Sequence, residues 1–305
     1  MILRRRPLTL PVDIFVRRGK GPALPAPKII GWDAVGTVTA VGNDCTLFQP
    51  GDRVFYAGAF DRPGCDSDYQ VVDERLVGHA PANLTDAQVA AMPPTSLTAW
   101  ESLFDLMPFD FAQPDVNDHA RLLCINAAGG VGSVATQLAH LAGLQVIATA
   151  SRAESVAWVK SLGADLVINH HQDLVTQLGD HGITSVDAVL ELHNLTTYWP
   201  AIATLIKPAG SIVSTTQSNA HLNLNLIKAK RARFAWEWMY AKAHFETTDM
   251  VSQHVILERI SQLLASGALK STVTETLHPL NAANLRAAHR LVESGRMLGK
   301  VVVTR

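Results

Sequence analysis

Cysteine is scarce in this chain of 305 residues: Cys45, Cys65 and Cys124 are odd in number and far apart. Three such thiols build no disulfide framework, and without a CxxC pair there is no structural zinc knot. Net charge is equally scarce, at −1 from 26 basic and 27 acidic residues. That leaves no electrostatic footprint for nucleic acid or an anionic membrane surface. No apolar run is long enough to span a bilayer. Pro7 and Pro11 interrupt what would have to be the apolar core of a leader after Arg4-Arg5-Arg6. The chain therefore reads as cytoplasmic, with the arginines as a solvated terminus. Internal repeats and low-complexity segments are missing as well.

What is present centres on residues 122–141, LLCINAAGGVGSVATQLAHL. Leu122-Leu123-Cys124-Ile125 suits a strand buried on both faces. A glycine turn follows, from Ala127 through Gly129, Gly130 and Val131 to Gly132. Val134, Leu138 and Leu141 then recur at helical spacing. Gly129, having no Cβ, lets the backbone approach a pyrophosphate, and Gly132 lets helix pack closely on strand. The unpaired N–H groups at the helix start attract phosphate. Ala127 stands where the usual fingerprint has its first glycine, so the motif is AxGxxG. The alternative is an ordinary tight βα turn without a ligand.

Downstream, strand and helix alternate strictly: strands at 145–150, 166–169, 186–192 and 210–215, with helical text between them. That pattern predicts a doubly wound parallel sheet of the Rossmann type, in which ligands bind beyond the C-terminal strand ends. Upstream, residues 29–77 carry short strands with turn signals, predicting a small β-rich domain. Pro93-Pro94 interrupts helical text at 86–106, and residues 224–245 and 250–267 read as helices. We expect residues 1–92, completed by 271–305, to form the β-rich domain and 93–270 the dinucleotide-binding domain. The first twelve residues show no convincing alternation.

An NAD site usually carries Asp or Glu about 20 residues after the glycine turn. Here the second strand ends at Ala150 and is followed by Ser151 and Arg152, with Glu154 only inside the next helix start. A hydroxyl and a guanidinium suit the 2′-phosphate of NADPH. Ser151 is alternatively, or additionally, the N-cap of that helix.

Several stretches together carry a resemblance. They are Gly31-Trp32-Asp33-Ala34-Val35-Gly36, the PGDRVFYAG of 50–58, the VVDERLVGH of 71–79, the TSLTAWE of 95–101, the AAGGVGS turn, Phe234-Ala235-Trp236-Glu237, and residues 247–254 and 281–300. The chain resembles the medium-chain dehydrogenase/reductase superfamily, in its zinc-free quinone oxidoreductase branch, and more closely the group labelled zinc-type alcohol dehydrogenase-like. The resemblance implies a GroES-like β-rich domain beside the nucleotide domain, with the active site in the cleft between them. It also implies hydride transfer from NADPH to quinones, enones or other activated carbonyl compounds, in a homodimer. Thr98 matches a residue near the nicotinamide, and Lys300, in Gly299-Lys300, a C-terminal stretch that returns to the cleft.

In zinc alcohol dehydrogenases a Gly-His-Glu motif supplies a metal ligand; Trp32 and Asp33 occupy those positions here. A first ligand, normally Cys, would lie near Leu10. Three ligands being required, we expect no metal. The family also carries further strands before the segment matching Pro11-Val12-Asp13, and an Asn where Leu10 stands. The first domain thus reads as N-terminally shortened, which opens a second functional class: a degenerate, noncatalytic NADPH-binding relative.

Other candidates stand beside plainer readings. Tyr56 faces the substrate or donates a proton, or is a half-buried strand residue. Trp236, Trp238, Met239 and Tyr240 line an acceptor pocket or belong to the core. Lys228, Lys230, Arg231 and Arg233 read as a solvated helix face. His170 and His171 follow the third strand, where one could flank adenine. Adjacent residues point to opposite sides, which argues against a metal pair. Glu191 and His193 end the fourth strand and are candidates for a proton relay.

Overall fold

The computed structural model describes residues 1–7, 11–19 and 27–304. The chain divides into two compact units, 1–97 with 239–305, and 98–238. In the first unit, β1 (Ile2–Pro7), β2 (Ala34–Ala40), β3 (Arg53–Tyr56), β4 (Tyr69–Val71) and β5 (Val77–His79) form one antiparallel sheet. Its order is β4-β1-β2-β3-β5. Leu3, Ala34, Val38, Val54, Tyr56 and Val77 pack its core.

The second unit holds β6 (Arg121–Ile125), β7 (Gln145–Thr149), β8 (Leu166–Ile168), β9 (Val186–Glu191), β10 (Ile206–Ser214) and β11 (Arg233–Trp236). All six run parallel in the order β11-β10-β9-β6-β7-β8. Read from the other edge, that is the Rossmann order, with its reversal between β6 and β9. Helices cover the faces, so β6, β7 and β9 are buried nearly end to end. This accounts for their apolar runs, Leu122–Ile125, Val146–Ala148 and Ala188–Leu190. Back in the first unit, β12 (Val273–Leu277) and β13 (Lys300–Val303) pair in parallel under helix Ala282–Glu293, with Val301, Val303 and Ala288 between them.

The structure corrects several expectations. The opening residues do form a strand: β1 lies between β2 and β4 and pairs with both. Two neighbouring edges supply its main-chain partners, so it needs no side-chain alternation to be specified. Residues 224–245 are not one helix but helix Asn225–Lys228, strand β11 and helix Ala241–His244. The free edge of β10 recruits the β-favouring Phe234 and Trp236, overriding the helical reading. Pro93-Pro94 does not interrupt a helix but starts one, Pro93–Trp100, because the first turn needs no N–H from proline. The second boundary falls after 238 rather than 270, because helix Ser252–Ser266 is fastened to β5. His254 Nδ1 lies 2.6 Å from the Val77 carbonyl, and Glu258 accepts the His79 N–H at 2.7 Å.

Lys230 is likewise no solvated residue of a helix face. Its ammonium donates to the carbonyls of Ala203, Thr204 and Ile206 at 2.7–2.8 Å, capping the negative end of helix Leu195–Leu205. A cation there satisfies carbonyls that the helix leaves open and meets its dipole favourably. We expect Lys230→Ala to lower unfolding free energy by about 1–2 kcal/mol in urea denaturation; an unchanged midpoint would mean that water replaces the ammonium without loss.

Candidate cofactor site

At the reversal point β6 runs into the turn and then into helix Gly130–Leu141. Gly129 is its N-cap, extended at φ −73°, ψ 177°, with no side-chain cap. The first backward bond is from Ser133 N–H to the Gly129 carbonyl, at 2.8 Å. The N–H groups ahead of it are those that a helix start offers to an anion. Gly129, Gly130 and Val131 are partly accessible, whereas Ala127 and Gly132 are buried. A Cβ on Gly132 would sit 2.5 Å from the Asn126 carbonyl oxygen and 2.6 Å from Ala127 Cα. Bare glycine there is what lets helix and turn touch.

Asn126 fixes the turn, at φ +68°. Its N–H donates to Thr149 Oγ1 at the end of β7, and its side-chain amide donates to the Leu192 carbonyl just past β9. Neither Asn126 nor Thr149 was singled out from the sequence; a short polar residue between an apolar strand and the glycines was the available signal.

Past β7 come Ser151 and Arg152, both partly accessible. The N-cap of helix Ala153–Ser161 is Arg152, not Ser151; Ser155 supplies the hydroxyl that binds Arg152's backbone. The Arg152 guanidinium lies 3.3 Å from Glu154, whose side chain is 56% exposed. Such a surface pair is weak and exchangeable. These residues fit a dinucleotide: an open helix start for the pyrophosphate, and beyond β7 a cation where an NAD site has a carboxylate.

Glu191 is fully buried and fully engaged. It accepts the N–H groups of His193 and Asn194 at 2.7 and 2.6 Å, and the hydroxyls of Ser214 and Thr216 at 2.8 and 2.6 Å. Those bonds tie β9 to β10 and leave the carboxylate fixed rather than placed for a relay. Burial, and secondarily the Glu191 charge, pushes the Cys124 thiol up to about 12, so that cysteine stays an inert thiol. Thr98 is buried in helix Pro93–Trp100. Trp236, on strand β11, is 51% exposed, whereas Met239 and Tyr240 are buried.

In the first unit Tyr56 is buried, not half-buried, and its hydroxyl donates to Gln70 Oε1 at 2.8 Å. Trp32 is buried, stacks on Phe60 with ring centres 5.5 Å apart, and meets Tyr240 edge-on at 6.5 Å. Lys28 holds its ammonium 5.8 Å and 5.3 Å from the Trp32 and Phe60 ring centres, within cation–π range. Beside this stack, Lys300 Nζ meets Asp33 Oδ2 at 2.6 Å with both side chains buried. Burial outweighs the ammonium and lifts the Asp33 carboxyl to about 7. Asp13 accepts the Gly31 N–H at 2.9 Å. Burial and the Asp33 and Asp13 carboxylates raise the Tyr240 phenol well above its ordinary value. Position 10, where the family's first metal ligand would stand, lies outside the described residues.

Residues 9–96 match the alcohol dehydrogenase GroES-like domain, and residues 162–303 match the zinc-binding dehydrogenase family. A zinc-type alcohol dehydrogenase-like protein of Staphylococcus aureus is 42% identical over 278 residues, 91% of this chain and 83% of its own. The chain belongs to the medium-chain dehydrogenase/reductase superfamily, with the zinc-type alcohol dehydrogenase-like proteins. A solved structure from Rhizobium etli, described as a zinc-dependent alcohol dehydrogenase protein, superposes with a TM-score of 0.93 at 42% identity, covering 100% of this chain and 89% of that one. The NADPH-dependent alkenal/one oxidoreductase of Arabidopsis thaliana is 27% identical over 303 residues, 96% of this chain and 68% of its own. As a medium-chain oxidoreductase, the protein pairs a GroES-like unit with a Rossmann unit that binds a nicotinamide cofactor.

The raised Asp33 carboxyl gives the buried pair a pH signature. An acid lifted from 3.8 in the open chain to about 7 in the fold stabilises the fold fully below pH 4, and that contribution is lost as pH rises through 7. Lys300→Met removes the opposing charge and steepens the loss. We expect it to destabilise by about 3 kcal/mol at pH 8 and by distinctly less at pH 5.5, in urea melts. An equal cost at both pH values would mean that the carboxyl is not the titrating group.

Proposed function

We propose that the protein is an NADPH-dependent, zinc-independent reductase of quinones or enones. The observation that carries the cofactor choice is the end of β7, where Ser151 and Arg152 take the place of a carboxylate. When bound, NADPH supplies the hydride. The residues of the chain do the rest. The N–H groups at the start of helix Gly130–Leu141 hold the pyrophosphate, and Gly129 keeps that approach open. Arg152 exchanges its exposed Glu154 partner for the dianionic 2′-phosphate, a stronger, charge-assisted and bidentate contact. Asn126 holds the turn in register with β7 and β9.

Zinc independence is supported by what fills the ligand positions. The indole of Trp32 is packed between aromatic neighbours, and the Asp33 carboxylate is taken by Lys300. A conjugated acceptor is already electrophilic, so positioning and local electrostatics suffice without a Lewis acid. The name of the Arabidopsis relative points to alkenals and enones as acceptors. Thr98 and Lys300 enter this reading through the family resemblance, and Tyr56 and Trp236 as candidates for contact with the acceptor. A homodimer is supported by the sheet-edge position of β11, with Trp236 exposed upon it.

Arg152→Ala should weaken NADPH binding by about 1–3 kcal/mol, roughly fivefold to 150-fold, and NADH binding far less; equal losses in fluorescence titrations would overturn the 2′-phosphate assignment. Purified protein, free of zinc by elemental analysis, should oxidise NADPH with a small quinone or an alkenal. Tight NADPH binding without turnover on either acceptor would place it among noncatalytic relatives, and stoichiometric zinc would overturn the metal-free reading.

A further inference from the structure

Three imidazoles collect at the C-terminal end of the parallel sheet, on the same side as Arg152. His170 and His171 follow β8, and His193 follows β9. The His170 ring centre lies 4.3 Å from that of His171 and 6.5 Å from that of His193. His193 in turn lies 6.3 Å from the Tyr198 ring, and the Tyr198 hydroxyl reaches the His170 carbonyl at 3.5 Å. His170 Nδ1 is buried with no hydrogen-bond partner among the described residues.

The charges facing His170 are nearly all of one sign. His171 and His193 oppose its protonation, and so does Arg152 from the end of β7. Of the carboxylates on the surrounding elements, Glu154 is drawn to Arg152, Glu191 is saturated by its four donors, and Asp173 caps helix Leu174–Asp180. Burial is the larger cause and the His171, His193 and Arg152 charges add to it, so His170 is held below the ordinary imidazole range. In the free protein near neutral pH it is therefore uncharged, beside an arginine and two further imidazoles.

We propose that this histidine group makes NADPH binding proton-coupled: His170 takes up a proton when a 2′-phosphate docks at Arg152, and the resulting imidazolium strengthens selection of NADPH over NADH. The inference rests on the 2′-phosphate reading of Arg152. A dianion placed beside Arg152 reverses the local sign of charge, which favours the cationic form of His170. A bound proton must come from solvent, so affinity falls as pH rises. NADH brings no phosphate to this corner and takes up no proton there. A sequence-tolerant salt bridge could not do this; a residue that changes charge near neutrality is needed, and histidine is the one that does so.

The test is calorimetric titration of the full chain with NADPH and with NADH, in two buffers of different ionisation enthalpy, between pH 6 and pH 8. We expect net proton uptake with NADPH and none with NADH. NADPH affinity should fall about tenfold more than NADH affinity across that range. The second ionisation of the phosphate itself, near pH 6, works the other way, and His170→Gln isolates it: in that variant NADPH binding should stay level or tighten as pH rises. The NADPH-to-NADH ratio is read within each protein, so a general loss of binding by the variant does not obscure the result. If NADPH is preferred through Arg152 but wild type and His170→Gln exchange the same number of protons, the coupling is overturned and the cofactor assignment stands. If Arg152→Ala leaves the ratio unchanged, the 2′-phosphate reading falls and takes the coupling with it.

Discussion

Four hydrogen bonds converge on the carboxylate of Glu191, and the nucleotide-binding end of the Rossmann unit depends on them. They join the end of β9 to Ser214 and Thr216 at the end of β10 and fix the entry to helix Leu195–Leu205. Next to that clasp, Asn126 ties β6 to β7 through Thr149 and to the β9 exit through Leu192. Four strand ends are thereby held by side chains where the ladder hydrogen bonds stop. A phosphate site made from backbone N–H groups needs such fixing, because the N–H groups cannot be re-aimed by changing rotamers. A buried anion is tolerated here because every oxygen has donors, two of them main-chain.

Much of this was legible in the sequence, for reasons that can be named. The parallel sheet announces itself because strands buried on both faces carry continuous apolar runs, as in Leu122–Ile125 and Ala188–Leu190. The turn announces itself because Gly132 has backbone 2.5–2.8 Å from where a side chain would begin. The end of β7 carries no acid, and Ser151 and Arg152 stand there instead, which is what the proposed choice of NADPH rests on.

What stayed hidden depends on partners distant in the chain. β1 is specified by two strands that come at least 27 residues later, β2 and β4. β11 is specified by the bare edge of β10, which a reading of residues 224–245 as one helix leaves out. Lys230 looks like any surface lysine until helix Leu195–Leu205 ends beneath it. The Asp33–Lys300 pair spans 267 residues, and no local pattern announces it. The boundary after residue 238 depends on which sheet helix Ser252–Ser266 covers, and an amphipathic stripe does not name its partner.

The tryptophan at position 32 is fixed by its neighbours. A single change, Trp32→His, would leave part of the volume of an indole empty beneath Phe60 and remove the ring over which Lys28 sits. Full truncation of a buried tryptophan costs about 3–5 kcal/mol, a large share of what holds a domain folded. The stack of Trp32, Phe60 and Tyr240 therefore constrains the residue at this position through folding before any chemistry of the site does.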